Sequence, residues 1–161
     1  MDKNLLAQLD ALGITYDIME HEAAATVAEA EKFWKEIKGM HCKNLFLRDK
    51  KGRQHYLVVA EKDCKVPMDK LNLFLGNNER LSFASEKRMM KYLQITPGSV
   101  SPFGIINDAE NHVIVLLDSR LQGAEIVNFH PNINTSTLSI VLSDFEKFLD
   151  WSKNPYQYIE L

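Results

Sequence analysis

A single α/β (α+β) domain, built on a curved mixed β-sheet of about seven strands flanked by helices, is what the sequence predicts. Three observations carry that prediction. Runs with helical apolar spacing alternate with short β-branched and aromatic runs along the whole chain. Two strand-like runs are joined by Asp49-Lys50-Lys51-Gly52-Arg53, a hairpin connection, which forces an antiparallel pair and excludes a doubly wound parallel sheet. No repeat, low-complexity segment or linker divides the 161 residues, the length of one domain able to bury on the order of 70% of its unfolded surface.

Taken in order, Leu5, Leu6, Leu9 and Leu12 recur at helical spacing after Asp2, a candidate cap, and stop at Gly13. Ile14 to Met19 alternates and reads as a strand. Thr26 stands three residues before Glu29 as a capping-box pair, opening a helix with Val27, Ala30, Phe33, Trp34 and Ile37 on one side. Lys32, Lys35 and Lys38 fall on its solvated face. Asn44–Arg48 and His55–Ala60 form the hairpin. Val66 to Leu75 reads as a helix with Leu71, Phe74 and Leu75 inward, and Arg80–Ala84 as a short strand. Ser85 caps a helix through Leu93. Phe103–Ile106 and His112–Leu117 read as a second hairpin, Glu125–Phe129 and Thr137–Leu142 as two more strands. Ser143-Asp144-Phe145-Glu146 opens a last helix with Phe145, Phe148, Leu149 and Trp151 inward.

Composition bounds the function. A hydrophobic fraction of 45% and a charged fraction of 25% are those of an ordinary globular chain, and a net charge of −3 gives no global basic field, so DNA is not an expected partner and any nucleic-acid contact would be local. No stretch approaches a membrane span and no apolar leader precedes the first helix, so a cytoplasmic protein is expected. Cys42 and Cys64 lack CxxC spacing and are expected as free thiols.

The run Thr96-Pro97-Gly98-Ser99-Val100-Ser101-Pro102-Phe103-Gly104 suits neither helix nor central strand. Its prolines remove donors and its short side chains let backbone N–H groups approach a ligand; taken alone, it is better read as a plain connector between helix and strand. Lys43 would project from a sheet edge toward a phosphate or carbonyl oxygen, or simply blunt that edge. Cys42 beside His41 suggests a thiol nucleophile, but neighbours on a strand point to opposite faces, so a buried small thiol is the better reading. His130, held extended by Pro131, would donate or accept one hydrogen bond at a pocket rim. His41, Cys42 and His130 have no metal-ligand spacing, and neither GxGxxG nor a P-loop occurs, so no metal and no cofactor are expected.

Lys43-Asn44-Leu45-Phe46-Leu47-Arg48-Asp49, Arg80-Leu81-Ser82-Phe83, Thr96 to Val100 with Phe103 and Ile106-Asn107-Asp108, and Val127-Asn128-Phe129-His130-Pro131 together resemble the free-standing prolyl-tRNA editing family of the YbaK/ProX type, nearest its alanyl-tRNA(Pro) deacylase or PrdX subgroup. The likeness spans residues 1–161 as one editing domain and includes Thr26-Val27-Ala28-Glu29-Ala30. It implies a hydrolase of the ester on mischarged tRNA. Lys43 would then hold the terminal adenosine or its phosphate, the loop at Gly98, Ser99 and Val100 would offer N–H groups to the oxyanion, and Asn44, Ser101, Pro102, Phe103 and His130 would contact the substrate end. The 2′-hydroxyl of the substrate would help activate water. The implied partners are the tRNA(Pro) acceptor end, gripped through Lys50, Lys51 and Arg53 with Lys87, Arg88 and Lys91, and prolyl-tRNA synthetase. Rival readings are the same fold acting on cysteinyl-tRNA(Pro) or another mischarged tRNA, a non-catalytic module binding tRNA or a synthetase, and a thiol enzyme using Cys42.

Overall fold

The computed structural model describes residues 2–76 and 80–161. Five α-helices, α1 (Lys3–Ala11), α2 (Val27–Trp34), α3 (Met68–Phe74), α4 (Glu86–Leu93) and α5 (Leu142–Ser152), accompany eight strands. The strands are β1 (Tyr16–Glu20), β2 (Met40–Arg48), β3 (His55–Glu61), β4 (Ser82–Phe83), β5 (Ile114–Asp118), β6 (Ile126–Phe129), β7 (Ser136–Val141) and β8 (Tyr156–Ile159). The sheet order is β1-β7-β6-β2-β3-β5-β8, with β4 added to β2. It is mixed, as expected: β2–β3 is antiparallel, while β3–β5 and β5–β8 are parallel.

Strand β2 is the hinge of this architecture. One edge pairs continuously with β3, from Cys42↔Glu61 to Arg48↔His55. The other pairs in parallel with β6 only at Met40 and His41, and antiparallel with β4 only at Leu47 and Arg48. The Phe46 carbonyl also accepts from the Ala84 N–H at 2.9 Å, and between these contacts residues 42–45 of β2 have an edge with no strand partner among the described residues, so the sheet opens there. The junction with β6 is drawn tight by Gly39 at φ +104, where an added Cβ would lie 2.7 Å from the Ile126 carbonyl oxygen. The Asn128 amide closes it by donating to the Lys38 carbonyl at 2.9 Å.

Alternation on β2 divides the core. Cys42 and Phe46 face the main cluster with Leu57, Val59, Leu93 and the aromatic group Phe103, Phe129, Phe145 and Phe148. Leu47 faces a smaller cluster under α3, with Tyr56, Val58 and Leu71. Fully buried side chains of this size each stabilise by roughly 1.5–3 kcal/mol.

Local signals held where they were strong. Asp2 accepts from the N–H groups of Asn4 and Leu5, and Thr26 and Ser85 cap α2 and α4 as read. In the capping box, Glu29 reaches one residue further back than expected, to the N–H of Ala25 at 3.0 Å.

Several readings are corrected. Phe103–Ile106 is not a strand but part of a 3-10 helix, Pro102–Asn107: Pro102 lies in its first turn and the Ser101 hydroxyl accepts from the Phe103 N–H. There is thus no second hairpin, and the 112–117 run enters the sheet as β5 between two parallel neighbours. Helix α5 starts at Leu142 without a side-chain cap, and Trp151 is 37% exposed rather than inward. Phe74 on α3 is also exposed, and β8, unread in the sequence, completes the sheet.

Candidate active site

The opening along β2 is a cleft of about 240 Å³. Its floor is Cys42 to Leu45, one wall is Ala25 to Val27 with Ala30 and Trp34, and Gly98, Val100 and His130 close the rest. Four separate segments of the chain therefore meet at one gap in the sheet.

Lys43 lines this cleft without a carboxylate partner among the described residues. An ammonium with no partner in a half-buried cleft offers three donors to an anionic or carbonyl oxygen. Asn44 stands next to it and does two things. Its Nδ2 donates to the Val100 carbonyl at 3.3 Å, fastening the loop to the unpaired edge of β2. Its Oδ1 is buried with no partner among the described residues.

The loop takes its path from Gly98. At φ +88, a Cβ there would lie 2.8 Å from the Ala25 Cβ, so only glycine lets the loop close on the start of α2. The N–H of Ser99 is already committed to the Thr96 carbonyl at 3.1 Å and its side chain is buried. The N–H groups of Gly98 and Val100 have no acceptor among the described residues. Of the three loop positions expected to supply donors, Ser99 is therefore corrected to a brace for the other two.

Ser101, Pro102 and Phe103 are likewise not at the substrate surface. Ser101 and Phe103 are 0% exposed, and the Phe103 ring stands edge-on to Phe129, Phe145 and Phe148. They anchor the loop in the core, and contact with substrate is excluded by burial.

His130 is at the cleft as expected. Its Nδ1 lies 3.1 Å from the Ser136 carbonyl, which can only accept, so Nδ1 carries the hydrogen and Nε2 keeps its lone pair. Burial lowers its pKa below the usual histidine value, so the ring is neutral near pH 7. A second recess of about 20 Å³, bounded by Trp34, Cys42, Asn44, Asn128, His130 and Thr137 among others, shares four of those residues with the cleft.

Cys42 does line the cleft, but burial, with the negative charges of Asp118 and Glu61, drives its thiol pKa up, which disfavours the thiolate a nucleophile needs. His41 points elsewhere: it stacks on Trp34 with centroids 4.5 Å apart and sits 3.1 Å from the Ile37 carbonyl. Among the described residues no His, Cys, Asp and Glu side chains are grouped to hold a metal ion. No helix of the described residues is long and apolar enough to cross a membrane.

The expected basic patch is assembled in part. The β2–β3 turn and α4 meet through Arg88, whose Nη1 donates to the Gly52 carbonyl at 3.0 Å and to His55 Nε2 at 3.1 Å. Arg88 is a structural strut and is removed from the list of RNA-facing cations. Lys50, Lys51, Arg53, Lys87 and Lys91 are exposed around it, Lys91 over the Tyr92 ring at 5.1 Å.

The α2 wall, Ala25, Thr26, Val27, Ala30 and Trp34, was read in the sequence as an ordinary capped helix. The signal available was the run of small residues at its start, which leaves room beside a backbone.

Comparison with known proteins gives these residues a setting. The family model described as the aminoacyl-tRNA editing domain matches residues 21–148. Over 157 residues the chain is 46% identical to the prolyl-tRNA editing protein ProX of Acetoanaerobium sticklandii, covering 98% of this chain and 95% of that protein. It is 33% identical over 144 residues to prolyl-tRNA synthetase associated domain-containing protein 1 of Mus musculus, covering 88% of this chain and 85% of that protein. The crystal structure of a candidate trans-editing enzyme for prolyl-tRNA synthetase shares its fold, with a TM-score of 0.74 at 17% identity over 100% of this chain and 98% of the other.

Proposed function

The chain belongs to the aminoacyl-tRNA editing-domain family, and on that premise we propose that its cleft is the site of a free-standing aminoacyl-tRNA deacylase whose substrate is alanyl-tRNA(Pro). The observation that carries this reading is the meeting of Lys43, Asn44, Gly98, Val100 and His130 around one cleft at the gap in β2.

In the reaction, water adds to the ester carbonyl and the tetrahedral oxyanion collapses, giving the free amino acid and the 3′-hydroxyl of the terminal adenosine. The Gly98 and Val100 N–H groups are the donors placed to receive the oxyanion; one such donor is typically worth about 3 kcal/mol in the transition state. Lys43 holds the adenosine or its phosphate by charge. Asn44 Oδ1 and His130 Nε2 are acceptors, suited to the α-ammonium of the bound residue. No protein general base is required if the substrate's own 2′-hydroxyl orients the water, as the family resemblance implies.

Selectivity follows from volume. The recess of about 20 Å³ holds one small group. An alanine methyl suits it, and the three methylenes of a proline ring exceed it. A pocket made for proline rejects a smaller residue weakly, by about 1–3 kcal/mol per missing methylene, so a second and smaller hydrolytic pocket removes the error. The tRNA(Pro) acceptor end is the partner of this reading, with prolyl-tRNA synthetase as the protein whose errors it corrects.

The test is hydrolysis of alanyl-tRNA(Pro), with prolyl-tRNA(Pro) alongside, by wild type and Lys43→Ala. Rapid release of alanine alone, abolished in the variant, is expected. Release of cysteine or serine but not alanine from the corresponding tRNA(Pro) would keep the enzyme class and replace the substrate.

A further inference from the structure

We infer that a second groove, between α3 and β4, is a tRNA contact in which an unpaired 3′ nucleotide stacks on Phe83 while Arg48, Lys50 and Arg80 hold the adjoining phosphates; this rests on the deacylase reading above.

The groove holds about 490 Å³, twice the cleft, and is separate from it: the two share no lining residue. Among the described residues, three cations, Arg48, Lys50 and Arg80, line it against one carboxylate, Asp69. In a chain of net charge −3 that local excess is a field for an anion, not a reflection of overall composition. Arg48 is held ready, because its Nη1 donates to the Lys50 carbonyl at 3.0 Å and its other N–H groups remain for a ligand.

Phe83 is 64% exposed at the end of a two-residue strand whose partner is the end of β2. A phenyl face beside cations is the platform on which single-stranded nucleic acid stacks, without regard to base identity. Asn72 lines the same groove, and its Oδ1 is buried with no partner among the described residues.

Position along β2 supplies the rest. Arg48 is five residues from Lys43 on one strand, about 16 Å at the usual rise. With the terminal ester at Lys43, the chain behind it, rising about 3.4 Å per stacked nucleotide, covers that span within about five nucleotides. The groove thus lies where the unpaired 3′ end gives way to the acceptor helix. Lys50 also belongs to the basic β2–β3 turn, so the groove is continuous with the other exposed lysines. An apolar protein partner would use Phe83 but would leave the three cations with Asp69 as their one carboxylate among the described lining residues.

The experiment is binding of uncharged tRNA(Pro), followed by fluorescence anisotropy through a KCl series, to wild type, Phe83→Ala, Lys50→Ala, Arg80→Ala and, as a control outside the groove, Lys147→Ala on α5. Phe83→Ala is expected to weaken binding about 10-fold with the salt slope kept. Lys50→Ala and Arg80→Ala each weaken it several-fold and reduce the slope by about one. On tRNA(Pro) lacking its unpaired 3′ nucleotides, Phe83→Ala and wild type should bind alike. Variants that bind full tRNA as wild type does, a Phe83 effect that survives the truncation, or no tRNA binding by wild type would each overturn the proposal. Loss of affinity for prolyl-tRNA synthetase with tRNA affinity intact would make the groove a protein-docking surface and overturn it too. If wild type deacylates and the groove variants bind normally, the groove fails alone. If wild type shows the expected binding pattern but hydrolyses no aminoacyl ester, the groove stands and the deacylase reading fails.

Discussion

The Nδ2 of Asn44 donates to the carbonyl of Val100 at 3.3 Å across a sequence separation of 56, and this bond joins the unpaired edge of β2 to the loop that forms the rest of the cleft. Asn44→Asp keeps the size but loses the donor and brings a negative charge to the Val100 carbonyl. Deacylation should fall 10- to 100-fold, on the scale of about 1–3 kcal/mol for a polar contact broken in a partly buried place. Steady-state rates beside a thermal melt separate this from unfolding; an unchanged rate would remove Asn44 from the site.

Lys43 has no carboxylate partner among the described residues, so no ion pair of the fold depends on its charge there. Lys43→Ala is expected to leave the melting temperature within a few degrees while deacylation drops at least about 10-fold, the loss of one charged hydrogen bond. A melting temperature that falls in step with activity would instead mark Lys43 as structural.

Gly98 is constrained twice, by φ +88 and by the 2.8 Å approach of Ala25. Gly98→Ala should cost about 1–2 kcal/mol from the left-handed backbone alone, with more from the clash. Adding Ala25→Gly removes the clash and not the dihedral strain, so the double variant should recover only part of the stability. Full recovery would show that the backbone there relaxes.

His55 is 0% exposed, with Nδ1 2.9 Å from His112 Nε2 and with Arg88 donating to its Nε2. Burial, then the neighbouring His112 and Arg88, push its pKa from 6.5 down to about 4. The native state therefore keeps His55 neutral where the unfolded chain binds a proton. Stability from this group is fully present above about pH 6.5 and is lost as pH falls toward 4, by at most about 3 kcal/mol. Urea unfolding at pH 7 and pH 5 should show the decline, and His55→Asn should flatten it. An equal slope in both proteins would locate the acid sensitivity elsewhere.

The Cys42 thiol is buried with a raised pKa, so it should resist alkylation in the folded protein, and Cys42→Ala should retain deacylation within a few-fold. Rapid inactivation by iodoacetamide, prevented by Cys42→Ala, would revive the thiol mechanism.

Local rules made much of this protein legible in its sequence. Caps at Asp2, Thr26 and Ser85, the β2–β3 hairpin and the apolar spacing of α1 depend on contacts within a few residues, and each formed as read. Lys43, Asn44, Gly98, Val100 and His130 were also singled out there, and they share one cleft. What a one-dimensional pattern could not carry was decided by packing. The apolar run Phe103–Ile106 fits strand or helix equally, and Ser101 with Pro102 tipped it into a 3-10 turn that buries Phe103. Arg88 looks like any surface cation until the fold brings Gly52 and His55 to its guanidinium. The cleft itself exists because β6 and β4 each pair with only two residues of β2, leaving the middle of its edge bare. Residue type is a property of the chain, but an unpaired strand edge is a property of which strands stop short beside it, and only the tertiary structure fixes that.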